Sequence, residues 1–184
     1  MASCRYCGRQ VIISSLSGLR DLLPGDLKSH VRTYQDALAQ EPSNPGVALS
    51  LGMCFLGLGL YDQALQRFET AIDDDLERSE TYFYAAIAML RGKKAFLAPL
   101  ATIRASEAYL EAALKLEDRG IYSYFLAYLR YDYYERKSLN CSPSWAALLQ
   151  QAIAHHVTGE DVRLLFELLR VDPAALPFGS LTSH

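Results

Sequence analysis

Two cysteines stand three positions apart near the start of the chain, in Cys4-Arg5-Tyr6-Cys7-Gly8. Two thiolates on a tight turn, with Gly8 letting backbone amides point at the sulfurs, supply half of the four ligands that a tetrahedral structural zinc requires. The other half does not appear as a second such pair. Cys54 and Cys141 stand alone, and His155-His156 would have to be brought over by the fold. Cys4 and Cys7 are therefore the metal candidates, with zinc as the ion and a site completed by distant residues or shared across a dimer; the competing reading is a turn that binds nothing. A dithiol redox motif is disfavoured, because no strand precedes the pair and no βαβ pattern surrounds it. Four cysteines so scattered in 184 residues make no disulfide framework. Reduced thiols are expected, with Cys54 a small buried hydrophobe.

The remaining reactive side chains do not assemble into a catalytic pattern. His30, His155, His156 and His184 stand in no motif with a serine or cysteine nucleophile. The run Asp73-Asp74-Asp75 with Glu77 lacks the glycine and the spaced ligands of a calcium loop, and reads as a solvated charge run at a helix end. Gly57-Leu58-Gly59 lacks the lysine and the preceding strand of a phosphate-cradling loop. A non-enzymatic protein without a resident cofactor other than zinc follows. The net charge of −3, without a block of Lys or Arg, argues against nucleic-acid binding. Val11-Ile12-Ile13 is too short for a signal-peptide core, and no stretch is apolar for the length of a membrane span, so a cytoplasmic protein without membrane association is expected.

What must position these residues is a helical array. At an offset of thirty-four residues Gly18 falls on Gly52, Gly25 on Gly59, Leu27 on Tyr61, Tyr34 on Phe68 and Ala37 on Ala71. Ala48, Leu51, Gly52 and Phe55 recur at helical spacing, and after Gly57-Leu58-Gly59 so do Tyr61, Ala64, Leu65, Phe68, Ala71 and Ile72. Gly52 and Ala64 are small where two helices cross, Phe55, Tyr61 and Phe68 fill space around them, and Gly59 suits a left-handed helix stop. Upstream, helices are predicted over Ser14–Leu22 and Gly25–Gln40, the second ended by Glu41-Pro42-Ser43-Asn44-Pro45. Downstream, Ser79 is the expected N-cap of a helix carrying Tyr82, Ala85, Ala86 and Met89, and a long connection over Arg91–Pro99 leads to a helix bearing Ile103, Ser106, Leu110, Ala113 and Leu114. Beyond it lie a tyrosine-dense helix over Ile121–Lys137, a helix opened by Ser142-Pro143 and running through His155, and a last one from Thr158-Gly159-Glu160-Asp161 through Val171. The expectation is an all-α chain of about nine helices.

Leu51, Gly52, Phe55, Gly59, Tyr61, Ala64, Phe68 and Ala71 together resemble a tetratricopeptide repeat, with Ala48 in place of the usual first aromatic and Leu76 where a closing proline is common. Cys4-Arg5-Tyr6-Cys7-Gly8 likewise resembles one knuckle of a zinc ribbon. The first resemblance implies a right-handed solenoid of antiparallel helix pairs with units near 11–44, 45–78 and 79–118, a divergent part over 119–173, an N-terminal segment over 1–13 and a C-terminal tail over 174–184. It also implies that the first helix of each pair lines a concave face, where the matching positions are Leu49, Met53, Leu56, Phe83, Ile87 and Leu90. If exposed, this apolar set is a groove for a polypeptide partner, most simply an amphipathic helix or a peptide with apolar anchors. Leu49, Ser50 and Met53 stand where relatives that grip acidic chaperone tails carry Lys and Asn, which disfavours that ligand. The competing reading is a groove filled by the segment around Val11–Leu16, by the tail Leu176–Leu181 or by tight winding. The expected role is an adaptor or chaperone-like scaffold. A homo-oligomer pairing through the groove or the tyrosine-rich face, and a metal-dependent accessory acting through Cys4 and Cys7, are the alternatives.

Overall fold

A computed structural model describes residues 13, 15–20, 22, 24–173 and 176–178. Among them there are nine α-helices and no strand: α1 (Leu16–Arg20), α2 (Pro24–Gln40), α3 (Pro45–Gly57), α4 (Tyr61–Asp74), α5 (Ser79–Met89), α6 (Leu100–Leu116), α7 (Gly120–Leu129), α8 (Trp145–Ala154) and α9 (Gly159–Leu169). From α2 to α8 each helix packs on the next, which leaves α3, α5 and α7 as an inner layer and α2, α4, α6 and α8 as an outer one. This is the helical solenoid that the repeat resemblance implies.

The helix ends have identifiable chemical causes. Asn44 caps α3, its Oδ1 accepting from the Val47 N–H at 3.1 Å, and Pro45 takes the first helical position, where no backbone donor is needed. Gly59 ends α3 with a φ of 75°, while the Leu60 N–H reaches back to the Phe55 carbonyl at 2.9 Å. Thr158 opens α9 with a reciprocal cap: its hydroxyl accepts from the Asp161 N–H, and the Asp161 carboxylate accepts from the Thr158 N–H. Two expected starts are corrected. Arg78, not Ser79, is the N-cap of α5, because the Ser79 hydroxyl is engaged across the layer by the Glu117 carboxylate at 2.6 Å and the Tyr122 hydroxyl at 3.0 Å. The helix expected at Ser142-Pro143 begins at Trp145, where the Ser144 hydroxyl accepts from the Ala147 N–H.

The inner helices have no polar face. Residues 47–56 of α3 are all buried, as are all ten residues of α7, so both sides of these helices are covered. On the outer side the covering is the expected one. Gly52 admits the Phe68 ring of α4, since a Cβ at Gly52 would stand 2.5 Å from the ring carbon Cε1. The inner side is covered by α1 and α9.

The long connection between α5 and α6 and the irregular end of α7 hold one another. After Leu129 the chain makes a π-helical turn over Arg130–Tyr134 and a short 3-10 turn over Glu135–Lys137. That turn brings Asp132 under the connection, where its carboxylate accepts from the Phe96 N–H at 2.8 Å, and the Tyr128 hydroxyl accepts from the Ala95 N–H at 3.3 Å. Arg130, only 7% exposed in its side chain, donates to the Glu107 carboxylate of α6 at 3.2 Å and to the Pro143 carbonyl at 2.6 Å. One buried guanidinium thereby ties α6, α7 and the approach to α8.

Candidate functional site

The six groove positions are all buried. Leu49, Met53 and Ile87 have no exposed surface, and Leu56, Phe83 and Leu90 no more than 2%. The open apolar groove expected from their spacing is therefore replaced by packed core, and what fills it is the chain itself. At one end Ile13 is buried and its N–H donates to the Ser50 hydroxyl at 3.2 Å, while Leu19 of α1 packs toward Gly57. The helix α9, which was not among the expected occupants, packs against α7 and α1 on this side. Its Phe166 meets the rings of Tyr128 and Tyr124 at centroid separations of 5.2 and 6.3 Å, both edge-on. Its far end places Arg170 beside Gly59 and over the Tyr61 ring. Val162, Leu165, Phe166 and Leu169 form the buried stripe that makes these contacts possible.

Among the described residues the inner face keeps a sizeable opening at one end. Where α1, α5, α7 and α9 begin, they leave a cleft of about 380 Å³. Phe83, Tyr84, Ile121 and Leu164 supply its apolar surface, and Glu80, Arg119, Glu160 and Asp161 its charges. Phe83 is the one groove position that borders it. Arg119 donates to Glu80 at 3.3 Å and lies over the Tyr122 ring, 5.5 Å from its centroid. Glu160 is paired with Arg20 and with Arg163. Burial pushes the Tyr84 and Tyr122 phenols above their ordinary range, in Tyr122 against the opposing pull of Ser79 and Arg119. Three carboxylates and the Arg119 guanidinium line the opening over an aromatic and aliphatic floor; Glu80 and Glu160 are held in ion pairs, and the Asp161 carboxylate is engaged in the α9 cap.

The other candidate residues are dispersed. Cys4 and Cys7 lie outside the described residues, as do Val11, Ile12 and most of the tail. Among the described residues no three of His, Cys, Asp and Glu come together as a metal site. Cys54 is buried, and desolvation raises its thiol to about 12, the behaviour of an unreactive core residue. His155 pairs with Asp118 at 3.2 Å and His30 stacks on Tyr34. The tyrosine-rich stretch does not form an exposed face: Tyr122, Tyr124, Tyr128 and Tyr133 are buried, and Tyr131 packs against Trp145 and Phe178. Asp73, Asp74 and Glu77 are exposed at the end of α4 and in the turn after it, while Asp75 pairs with Arg78 at 3.2 Å. The cleft is built from the first turns of four helices that are remote along the chain, so the sequence exposes only parts of it, the groove position Phe83 and the capping signal Thr158-Gly159-Glu160-Asp161.

The tetratricopeptide repeat family matches residues 25–90, from the start of α2 to the end of α5, which is the part in which the repeat spacing is clearest. Repeats of this family serve in general as protein–protein interaction modules and are typically non-enzymatic. No curated protein matches the chain. Among the described residues no helix is long and apolar enough to cross a membrane.

Proposed function

We propose that the protein is a non-enzymatic interaction scaffold, an adaptor or chaperone-like holder, that takes a polypeptide segment into the cleft between α1, α5, α7 and α9. The carrying observation is the cleft: on an inner face largely covered by α1 and α9, an apolar floor of Phe83, Tyr84, Ile121 and Leu164 remains open beneath a charged rim. Its volume falls within the range of small-molecule and side-chain pockets, so it suits a few side chains of a partner rather than a whole helix. The matching ligand carries an aromatic or aliphatic anchor for the floor and a Lys or Arg that competes with Arg119 for Glu80 and with Arg20 for Glu160. An acidic chaperone tail has the wrong sign for this rim.

A random-peptide display library panned on the purified protein tests the reading. The expected outcome is enrichment of sequences that join a basic residue to a bulky apolar one, with binding lost in Ser17→Trp, which places an indole at the mouth, and weakened in Glu80→Arg, which inverts the rim. Both positions lie outside the buried core. Absence of enrichment, or peptides that bind both variants as well as the unaltered protein, overturns the assignment.

A further inference from the structure

The two edges of the helical array differ in charge, and each carries a protruding leucine. The turns that lead from outer to inner helices lie on one edge, and those from inner to outer helices on the other. On the first edge the turn between α4 and α5 presents Asp73, Asp74 and Glu77, none of which pairs with a cation among the described residues. Leu76, in the same turn, is 63% exposed. On the opposite edge the connection after α5 presents Lys93 and Lys94, with Lys137 beside it from the end of the irregular turn after α7. None of these three pairs with a carboxylate among the described residues. Leu97, in that connection, is 69% exposed. These two leucines are the most exposed large hydrophobic residues of the described chain.

The basic edge is held in shape rather than left loose. Lys137 Nζ stands 3.7 Å from the Tyr133 ring centroid and 5.0 Å from that of Phe96, and the Arg136 guanidinium covers Phe96 at 4.5 Å. The Phe96 N–H is fixed on Asp132. A cationic surface already ordered in this way loses little side-chain freedom on binding. The two patches also stand at opposite ends of α5, whose eleven residues hold them about 16 Å apart along its axis. They cannot satisfy each other within one molecule.

We infer that the chain associates head to tail, with Lys93, Lys94, Leu97 and Lys137 of one copy receiving Asp73, Asp74, Leu76 and Glu77 of a second. Charge complementarity identifies the occupant: Asp73, Asp74 and Glu77 on one edge and Lys93, Lys94 and Lys137 on the other have no ion-pair partner among the described residues, each set flanks an uncovered leucine, and the two sets match between copies of the same chain. Such a contact joins two different surfaces, so it does not close on itself as a two-fold pair does, and it lengthens with concentration. Its charges are solvent-exposed, so salt weakens it. The contact is independent of the peptide cleft.

Sedimentation velocity over a concentration series from micromolar to sub-millimolar, at low and at high ionic strength, tests it. The unaltered protein is expected to exceed its monomer mass of 20.5 kDa as concentration rises at low salt, and to return to it at high salt. Lys93→Glu with Lys94→Glu, and separately Asp73→Lys with Asp74→Lys, are expected to stay monomeric, each then presenting like charges at positions 73–74 and 93–94. An equimolar mixture of the two variants, and a single chain with all four reversals, are expected to regain association. A monomer mass throughout the low-salt series overturns the inference, as does association that ignores the reversals. A monomer that instead co-sediments with anionic phospholipid vesicles, and loses this through Lys93→Glu with Lys94→Glu, overturns it in favour of a membrane surface.

Discussion

Replacing Gly52 by alanine tests how α3 and α4 meet. A methyl carbon at this position would stand 2.5 Å from Cε1 and 2.7 Å from Cδ1 of Phe68, whereas carbon atoms rest at about 3.5–4.0 Å. Ring or helix must therefore yield by about 1 Å. Phe68 is fully buried and its ring is backed by Tyr84 at a centroid distance of 5.9 Å, so the ring has little room to retreat. Over-packing of this kind costs roughly 1–3 kcal/mol, while alanine in place of glycine inside a helix returns about 1 kcal/mol. The expected net loss is about 1 kcal/mol, which lowers the melting temperature of a chain this size by roughly 2–4 °C. Phe68→Leu removes the ring atoms that cause the conflict, so in that background Gly52→Ala becomes neutral or stabilising by up to about 1 kcal/mol. Urea and thermal unfolding of all four proteins, followed by far-ultraviolet circular dichroism, give the coupling, expected at about 1–3 kcal/mol. If Gly52→Ala stabilises the protein equally with Phe and with Leu at position 68, the packing account of this glycine is wrong.

Three further perturbations have defined outcomes. Arg130→Met leaves Glu107, only 11% exposed in its side chain, without its guanidinium and should cost about 3–5 kcal/mol in urea unfolding; the double variant with Glu107→Leu should recover most of that, and a double variant no better than the single one would refute the ion-pair explanation. Burial raises both the Cys54 thiol, ordinarily at 9.0, and the Tyr34 phenol, ordinarily at 10.0, to about 12, so the folded state holds protons that the unfolded chain releases first. Their contribution to stability is complete below pH 9 and is lost as pH rises toward about 12; a urea midpoint that does not fall across this range contradicts it. Iodoacetamide applied to the folded protein should modify the half-buried Cys141 well before Cys54, with the order resolved by peptide mapping and the difference abolished in urea.

The repeat pattern was readable because it is local. Leu51, Gly52, Phe55, Gly59, Tyr61, Ala64, Phe68 and Ala71 specify a helix, a turn and a second helix by contacts within about two dozen residues, and the structure places all of them as their types require. The state of the inner face was not readable in the same way. Leu49, Met53, Phe83 and Ile87 would have the same identities whether a partner or the chain's own distant segments covered them, and α9 begins seventy residues or more beyond all four. A signal was nevertheless present. α3 and α7 are apolar around their full circumference, which belongs to a helix covered on both sides rather than one that borders solvent. The tyrosines from Tyr122 to Tyr134 were ambiguous for a related reason, since a tyrosine is compatible with core and with interface alike. The cleft as a whole was not legible, although Phe83 and the Thr158–Asp161 cap were, because its walls become neighbours only once α9 has turned back on the array.

That return of α9 also changes what kind of object the array is energetically. In a simple solenoid each repeat touches only its neighbours, so stability accumulates like links in a chain and the ends can fray while the middle holds. Here α9 reaches back over α7 and touches α1, and Arg20 pairs with Glu160 across 140 positions of sequence. The chain of neighbours is thus bent into a ring, and no repeat can open without breaking the seam or straining the rest. Such a ring gives up the gradual, segment-by-segment unzipping of an open array for a single concerted transition. It also places its slowest folding step at the seam, where the longest loop has to close.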